Sequence, residues 1–145
     1  MRKLSDLIRD LKQEQRRIPM QNAAALTVLG FEIQEKVVEM IGTKQSFWAD
    51  LKPATIEWKT RKHLGKDNDP SSPLYGTGDF ARSIEYKLIG KNKVRIFSDD
   101  PTAQYHEFGT STQPPRPVFL LAAKLVLRDF LGKGKLQNFY LKSLR

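Results

Sequence analysis

The sequence predicts an α+β protein, on the basis of three patterns of apolar residues. Apolar residues recur at three- and four-residue spacing before residue 42, two short alternating segments lie between residues 84 and 96, and a strongly apolar stretch begins at Val118. These patterns indicate amphipathic helices, then a hairpin, then a buried helix. We expect N-terminal helices and a small antiparallel β-sheet with a hairpin, packed against a long apolar C-terminal helix.

Residues 1–44 predict two consecutive helices. We expect the first helix to end near Ile18, because Pro19 suits the first turn of a second helix. The second helix should reach Ile41, where Gly42 offers a stop. The apolar positions of the two helical stripes are Leu4, Leu7, Ile8, Leu11 and Ile18, followed by Leu29, Ile33, Val37, Val38 and Ile41.

The middle of the chain predicts a third helix, a loop and a hairpin. Pro53 is placed to start a helix that runs through about Leu64, with Gly65 as its terminator. Residues 65–73, "GKDNDPSSP", are almost all turn formers and therefore predict a loop. Two strands follow, because "IEYKL" and "VRI" each alternate apolar with charged residues on either side of the tight "GKNK" turn.

A short helix should follow the hairpin. Asp100 can cap it, Pro101 can be its first residue, and Gly109 can end it. Tyr105 and Phe108 share one face of this helix, so we expect them to anchor it in the core.

The last strong element is "PVFLLAAKLVLRDFLG", in which only Lys124, Arg128 and Asp129 are polar between Val118 and Leu131. So apolar a helix has to be covered nearly all round. One face of the sheet can cover one side, and either the N-terminal helices or a neighbouring subunit covers the other. The tail at residues 133–145 is basic and contains no acidic residue. It is either a short amphipathic helix that docks on a partner or a frayed end.

Composition restricts the classes of function. A chain of 145 residues with 39% apolar content suits a single domain, here residues 1–145. The absence of cysteine removes disulfides and thiol nucleophiles, and two histidines leave little for a metal, so we expect no metal and no cofactor. No apolar run approaches the roughly 20 residues that span a bilayer, so we expect a soluble protein without a membrane partner.

The net charge of +9 favours an acidic partner, which can be nucleic acid, a negative protein surface or a membrane face. The basic run "KTRKHLGK" can contact phosphates, but it is equally typical of a solvated helix face and has no interleaved aromatics for base stacking. A small nucleic-acid-binding protein is therefore one alternative function.

The segment "QYHEFGT" places His106 beside Glu107 and raises the alternative of a small nuclease or toxin. General acid-base catalysis needs groups that converge on one atom, whereas adjacent residues point in different directions. Convergence would require His63, Glu57 or Asp79 to fold against His106. In the structural interpretation, Glu107 faces a backbone amide or an arginine, for which Arg116 in "PPRP" is the obvious partner.

Four phrases occur in order along the chain: "FWADLKPATIEWK", "SPLYGTGDFARSI", "YHEFGT" and "PPRPVFL". Together they resemble the virion morphogenesis family of tail-completion proteins from tailed bacteriophages, and more loosely the head-to-tail connector proteins of the phage neck. The match covers about residues 45–125, and it departs from the family pattern in the inserted Val118 and the long basic tail. The residues that this resemblance marks for structure and assembly are Trp48, Pro53, Thr55, Lys59, Leu74, Thr77, Gly78, Ser83, Tyr105, Glu107, Phe108, Gly109, Arg116, Pro117 and Phe119.

The resemblance implies a non-enzymatic structural protein that acts as a subunit of a homo-oligomeric ring, with no catalytic residues. Its partners would be other copies of itself, other phage neck or tail proteins and, where its basic surface faces the channel, packaged DNA. It would be found in the host cytoplasm during assembly and in the virion afterwards.

Overall fold

The computed structural model describes residues 4–132, and within the first helix it describes side chains at residues 8, 9, 12 and 13 and from residue 21 onward. The predicted basic tail at residues 133–145 lies outside the described residues. The described part contains helices and one two-stranded antiparallel sheet, which confirms the α+β class. Its elements are α1 (Leu4–Met40), α2 (Pro53–Arg61), α3 (Asp79–Arg82), β1 (Ile84–Ile89), β2 (Lys93–Ser98), α4 (Ala103–Phe108) and α5 (Phe119–Gly132).

The two predicted N-terminal helices are one helix of 37 residues, so the expected break between Ile18 and Pro19 is wrong. Proline holds φ at a helical value, but within a helix it removes one backbone hydrogen bond and its ring clashes with the carbonyl four residues earlier, at a cost of about 3 kcal/mol. A helix that is already nucleated gains a bond with each residue added, and three consecutive alanines, the best helix formers, follow at residues 23–25. Helix formation on both sides therefore outweighs the local cost. The chain leaves the helix near Gly42, which adopts φ +84° as its expected stop requires.

Helix α1 is the element on which the hairpin and α5 pack. Both strands of the hairpin contact α1, and so does α5. The sheet therefore packs mainly on α1, whereas the sequence predicted that it would pack on the C-terminal helix. Gly30 explains how the hairpin comes so close, because a Cβ there would lie 2.6 Å from Cγ2 of Val94 and 2.8 Å from Cδ2 of Tyr86. The Gln34 amide also donates a 2.7 Å hydrogen bond to the carbonyl of Ile84, where β1 begins.

The core lies between the C-terminal half of α1, the start of the hairpin and the start of α5. Its buried residues are Ile33, Val37, Met40, Ile41, Trp48, Phe80, Ile84, Val118 and Ala122. Val37, Ile41 and Ala122 are fully inaccessible to solvent. The predicted stripe of α1 from Ile33 to Ile41 is therefore its core face.

The remaining element boundaries follow local chemistry. The hairpin forms as expected, with Ile84 opposite Ser98 and Leu88 opposite Val94. Helix α2 ends at Arg61, before the predicted limit, because the chain turns there and His63 takes a φ of +52° that a helix does not allow. Helix α4 starts at Ala103, later than expected.

Asp100 accepts hydrogen bonds from the amide and the hydroxyl of Thr102, at 2.8 and 2.6 Å. These bonds fold residues 100–102 into a side-chain turn ahead of the helix, so Pro101 lies in the turn and not in the first helical position.

Replacing Ile41 with alanine should lower the free energy of unfolding by about 2–5 kcal/mol, because the side chain is fully buried and its removal leaves a cavity. Ile89→Ala is the matched control, since Ile89 lies at the end of β1 and is 46% exposed. Its loss should stay below about 1 kcal/mol. Urea denaturation of the full chain measures both values. Equal losses would contradict the placement of the core.

Candidate functional site

Three segments that are distant in sequence line one cavity of about 550 Å³. They come from residues 49–59, residues 74–76 and residues 106–116. The lining side chains that matter for its chemistry are Trp58, Lys59, Leu74, Tyr75, His106 and Arg116. We call it the Lys59–Arg116 cavity, after its two buried cations.

Arg116 connects two of these segments. Its Nη2 donates hydrogen bonds to the carbonyl of Ala49, at 2.9 Å, and to the carbonyl of Asp50, at 3.3 Å. Its own amide donates to the carbonyl of His106 at 2.7 Å. The predicted pair between Arg116 and Glu107 is therefore wrong: the guanidinium binds main-chain carbonyls near Trp48, and the carboxylate is used elsewhere.

Glu107 accepts hydrogen bonds from the amides of Val118, Phe119 and Leu120, at 2.8, 3.1 and 3.0 Å. The first amides of a helix have no partner within it, and the positive end of its dipole favours an anion. Glu107 supplies both an acceptor and a negative charge to the start of α5. The expectation that this carboxylate faces a backbone amide is confirmed.

His106 is half-buried and packs against Phe80, with ring centroids 5.0 Å apart. Its Nδ1 lies 3.1 Å from the Gln113 amide nitrogen. Burial lowers the pKa of His106, and Arg116 lowers it further, whereas Asp100 raises it. The imidazole is therefore a neutral packing group near pH 7, between the core and the turn at residues 109–117.

Tyr105 and Phe108 do not anchor α4 in the core, so the expectation that they face the interior is wrong. They are 46% and 80% exposed. The position of Glu107 at the start of α5 and of His106 on Phe80 sets the rotation of this short helix, and its other face then points outward. Periodicity alone cannot choose between two faces of a helix of 6 residues.

Lys59 projects from α2 and is only 5% exposed. Its Nζ donates a 2.5 Å hydrogen bond to the carbonyl of Ser72, which lies in the loop predicted from its turn formers. Burial lowers the pKa of Lys59, and Asp69 raises it. Ser72 is itself buried, with its hydroxyl donating to the carbonyl of Asp69 and accepting from the amide of Lys66.

Two buried nitrogens make no hydrogen bond within the described residues, namely Nε1 of Trp48 and Nε of Arg116. Such groups are uncommon in folded proteins, because burying an unpaired donor costs about 1–3 kcal/mol. Trp48 belongs to the hydrophobic core, so the packing of its ring explains why its nitrogen is buried. Arg116 is held by its other nitrogens while lining the cavity.

The structure brings some of the predicted assembly residues together and separates others. Thr55, Lys59, Leu74 and Arg116 line the cavity. Gly109 turns the chain with φ +73°, where a Cβ would lie 2.8 Å from the nitrogen of Pro115. The others serve local structure: Pro53 begins α2, Gly78 precedes α3, and Phe119 packs beside the core after Pro117.

Thr77 and Ser83 act around α3 and the hairpin. The Thr77 hydroxyl donates to the carboxylate of Asp79, and the Ser83 hydroxyl lies 2.6 Å from that of Ser98. These contacts fasten the start of α3 and the open end of the hairpin. Phe80, Ser72 and Gln113 escaped the sequence analysis, since an isolated phenylalanine, serine or glutamine has no pattern that marks it.

Among the described residues, no three histidine, cysteine or acidic side chains cluster as metal ligands would. No helix within residues 4–132 is long and apolar enough to cross a bilayer. Comparison of the chain with protein-family models, with curated proteins and with solved structures gives no match.

Replacing Glu107 with glutamine should lower the free energy of unfolding by about 1–2 kcal/mol, because a neutral amide loses the charge that favours the start of α5. Glu85→Gln, at an exposed position of β1, is the matched control and should change it by less than about 0.5 kcal/mol. Chemical denaturation at low ionic strength measures both. Losses of equal size would contradict the capping role of Glu107.

Stability should depend on the ionisation of His106. Since burial depresses its folded-state pKa below the ordinary 6.5, the unfolded chain binds the proton more readily. The contribution is fully present above about pH 7 and decreases as the pH falls through 6.5 towards the folded-state pKa. His106→Gln should therefore lose less stability than the wild type between about pH 7 and pH 5. Parallel curves for the two proteins in denaturation experiments would refute the assignment.

Proposed function

We propose that the protein is a structural subunit of a tailed-phage virion, a tail-completion or head-to-tail joining component that acts in a homo-oligomeric ring and catalyses no reaction. The observation that carries the proposal is an exposed apolar stripe on α5. Leu120, Leu127 and Leu131 lie on one face of this helix, and they are 57%, 39% and 62% exposed. Leu127 and Leu131 also line a cavity of about 440 Å³ with Ala25, Leu26 and Leu29 of α1, so the stripe borders the contact between α1 and α5.

A stripe of this kind suits a subunit interface. Exposed apolar side chains that lie contiguously mark protein-protein contacts far more often than scattered ones do. A closed ring needs two different faces on each subunit, because head-to-tail contacts join unlike surfaces. A second apolar surface is available on α1, where Val28 and Phe31 lie one turn apart and are 40% and 50% exposed.

The segment around Glu107 and Arg116 supports the structural role. All of its charged groups are engaged with the main chain: Glu107 with the start of α5, and Arg116 with the carbonyls of Ala49 and Asp50. Such contacts brace α4 and the turn after it, and they hold the exposed Phe108 at the end of α4 where a neighbouring subunit could contact it. A nuclease or toxin that uses His106 and Glu107 would instead need the carboxylate free to handle a proton.

The ring would assemble in the host cytoplasm and remain in the virion, in contact with other neck or tail proteins. Its charge of +9 suits an acidic neighbour, and packaged DNA in the channel is one such neighbour. The four sequence phrases that resemble the tail-completion family support the phage assignment. The apolar sequence of α5, in which only Lys124, Arg128 and Asp129 are polar, supports a subunit interface on this helix.

Deleting the gene from the phage or prophage genome that carries it tests the joining role. Electron microscopy of the products should show filled heads and free tails as separate particles. A plasmid copy of the wild type should restore infectivity, and Leu120→Glu/Leu131→Glu should not, because charges on the stripe oppose burial in an interface. Ile89→Glu, at another exposed apolar position, is the control that should restore it. Infective particles without the gene, or rescue by the stripe variant, would overturn the proposal.

A further inference from the structure

The Lys59–Arg116 cavity contains two buried cations without a carboxylate partner. Both side chains are 5% exposed, and both line the cavity. Within the described residues neither of them forms an ion pair. Buried lysine and arginine are nearly always paired with a negative charge, since removing an unpaired charge from water is expensive.

Main-chain carbonyls compensate these cations only in part. Lys59 has the carbonyl of Ser72, and the guanidinium of Arg116 makes its hydrogen bonds through Nη2, which leaves the buried Nε without an acceptor. Burial lowers the pKa of Lys59 and that of Arg116, whereas Asp69 raises the first and Asp50 raises the second. Both pKa values remain lowered, so burial outweighs these two carboxylates. A negative charge that entered the cavity would offset this effect of burial.

The nearby acidic groups are already engaged and lie at the surface. Asp50 forms an ion pair with Lys44. The hydrogen bond from Lys44 is the largest cause of the lowered pKa of Asp50. Asp69 accepts hydrogen bonds from the amide and hydroxyl of Ser71, at 2.9 and 2.6 Å. Neither carboxylate forms an ion pair with Lys59 or Arg116 within the described residues, so a direct carboxylate partner for these cations would come from another molecule.

The shape and lining of the cavity indicate what carries this anion. Its volume of about 550 Å³ lies within the range of pockets that hold small ligands or a few side chains. Beside the cations its wall is mostly apolar, with Leu51, Trp58, Leu74 and Tyr75, so the ligand should combine an apolar part with a negative group. The carboxylate of Asp50 also belongs to this wall, but it is paired with Lys44 and exposed. Duplex DNA does not fit this description, because its phosphates are held by exposed lysine and arginine side chains on an open surface.

We infer that the Lys59–Arg116 cavity binds a carboxylate-bearing peptide segment of a partner protein. An aspartate or glutamate side chain of the partner lies against Lys59 and Arg116, and a neighbouring apolar side chain lies against Trp58 and Leu74. That the partner is another virion protein rests on the proposed function. The preference of the cavity for a carboxylate beside an apolar group does not rest on the proposed function.

Two matched probes test this on the full chain: the capped dipeptides acetyl-Phe-Glu-amide and acetyl-Phe-Gln-amide, which have nearly the same shape. The indole N–H signal of Trp58 in NMR spectra reports on the cavity, and that of the buried Trp48 is the internal reference. The glutamate peptide should shift the Trp58 signal in a saturable way and bind at least about tenfold more tightly than the glutamine peptide, since charge-assisted hydrogen bonds are the stronger ones. Equal binding of the two, or binding of neither, overturns the inference.

Variants identify the cation. Lys59→Met keeps most of the length of the side chain and should abolish the preference for the glutamate peptide. Lys62→Met, which removes an exposed lysine at the end of α2, should leave it unchanged. If Lys59→Met fails to fold, the comparison of the two peptides on the wild type still decides the question.

Inorganic phosphate and a short DNA duplex separate a nucleic-acid site from a peptide site. Neither should compete with the glutamate peptide at matched ionic strength. Stronger perturbation of the Trp58 signal by phosphate or by duplex than by the peptide would overturn the inference. Specific binding of the glutamate peptide together with infective particles in the deletion strain would refute the virion role and leave the cavity assignment intact.

Discussion

The carboxylate of Glu107, bound to the amides of Val118, Phe119 and Leu120 where α5 begins, is the contact on which the arrangement of the C-terminal half depends. It joins α4 to α5 and so closes the turn at residues 109–117 between them. Once the two ends of this turn are joined, the amide of Arg116 meets the carbonyl of His106, and its guanidinium is directed to Ala49 and Asp50. One charged hydrogen-bond set thus positions both the cavity wall and the start of the C-terminal helix.

Helix α1 provides the complementary constraint. The hairpin and α5 both pack on it, and neither would have a core without it. The close approach of the hairpin depends on the missing side chain at Gly30, which faces Val94 and Tyr86. Gly30 lowers the helix propensity of α1, and the packing of the hairpin on α1 explains why a glycine is nevertheless found there. The free energy lost in helix propensity is smaller than the free energy gained by burying apolar surface in this contact.

Polar groups in the interior of so small a domain are informative because they are expensive. Lys59 and Arg116 are buried, and within residues 4–132 their side chains donate hydrogen bonds to main-chain carbonyls alone. Both line the cavity where three segments distant in sequence meet. In other proteins, replacing buried charged groups by hydrophobic residues of similar volume is often neutral or stabilising. The proposal that a carboxylate of a different molecule binds these cations would account for their burial. The exposed stripe on α5 is a separate apolar surface of the chain.

The sequence by itself determined the α+β class, the hairpin, and the identity of the core stripe from Ile33 to Ile41, because each depends on periodicity and turn residues within a short window. It also predicted that the carboxylate of Glu107 binds either a backbone amide or an arginine. Only the tertiary structure decided that α1 continues through Pro19, that α4 turns Tyr105 and Phe108 outward, and that Lys59 is buried. These outcomes depend on partners far away along the chain, as with Arg116 and Ala49, which are 67 positions apart. Which polar group receives which partner is a property of the packed fold, and local sequence patterns carry no information about it.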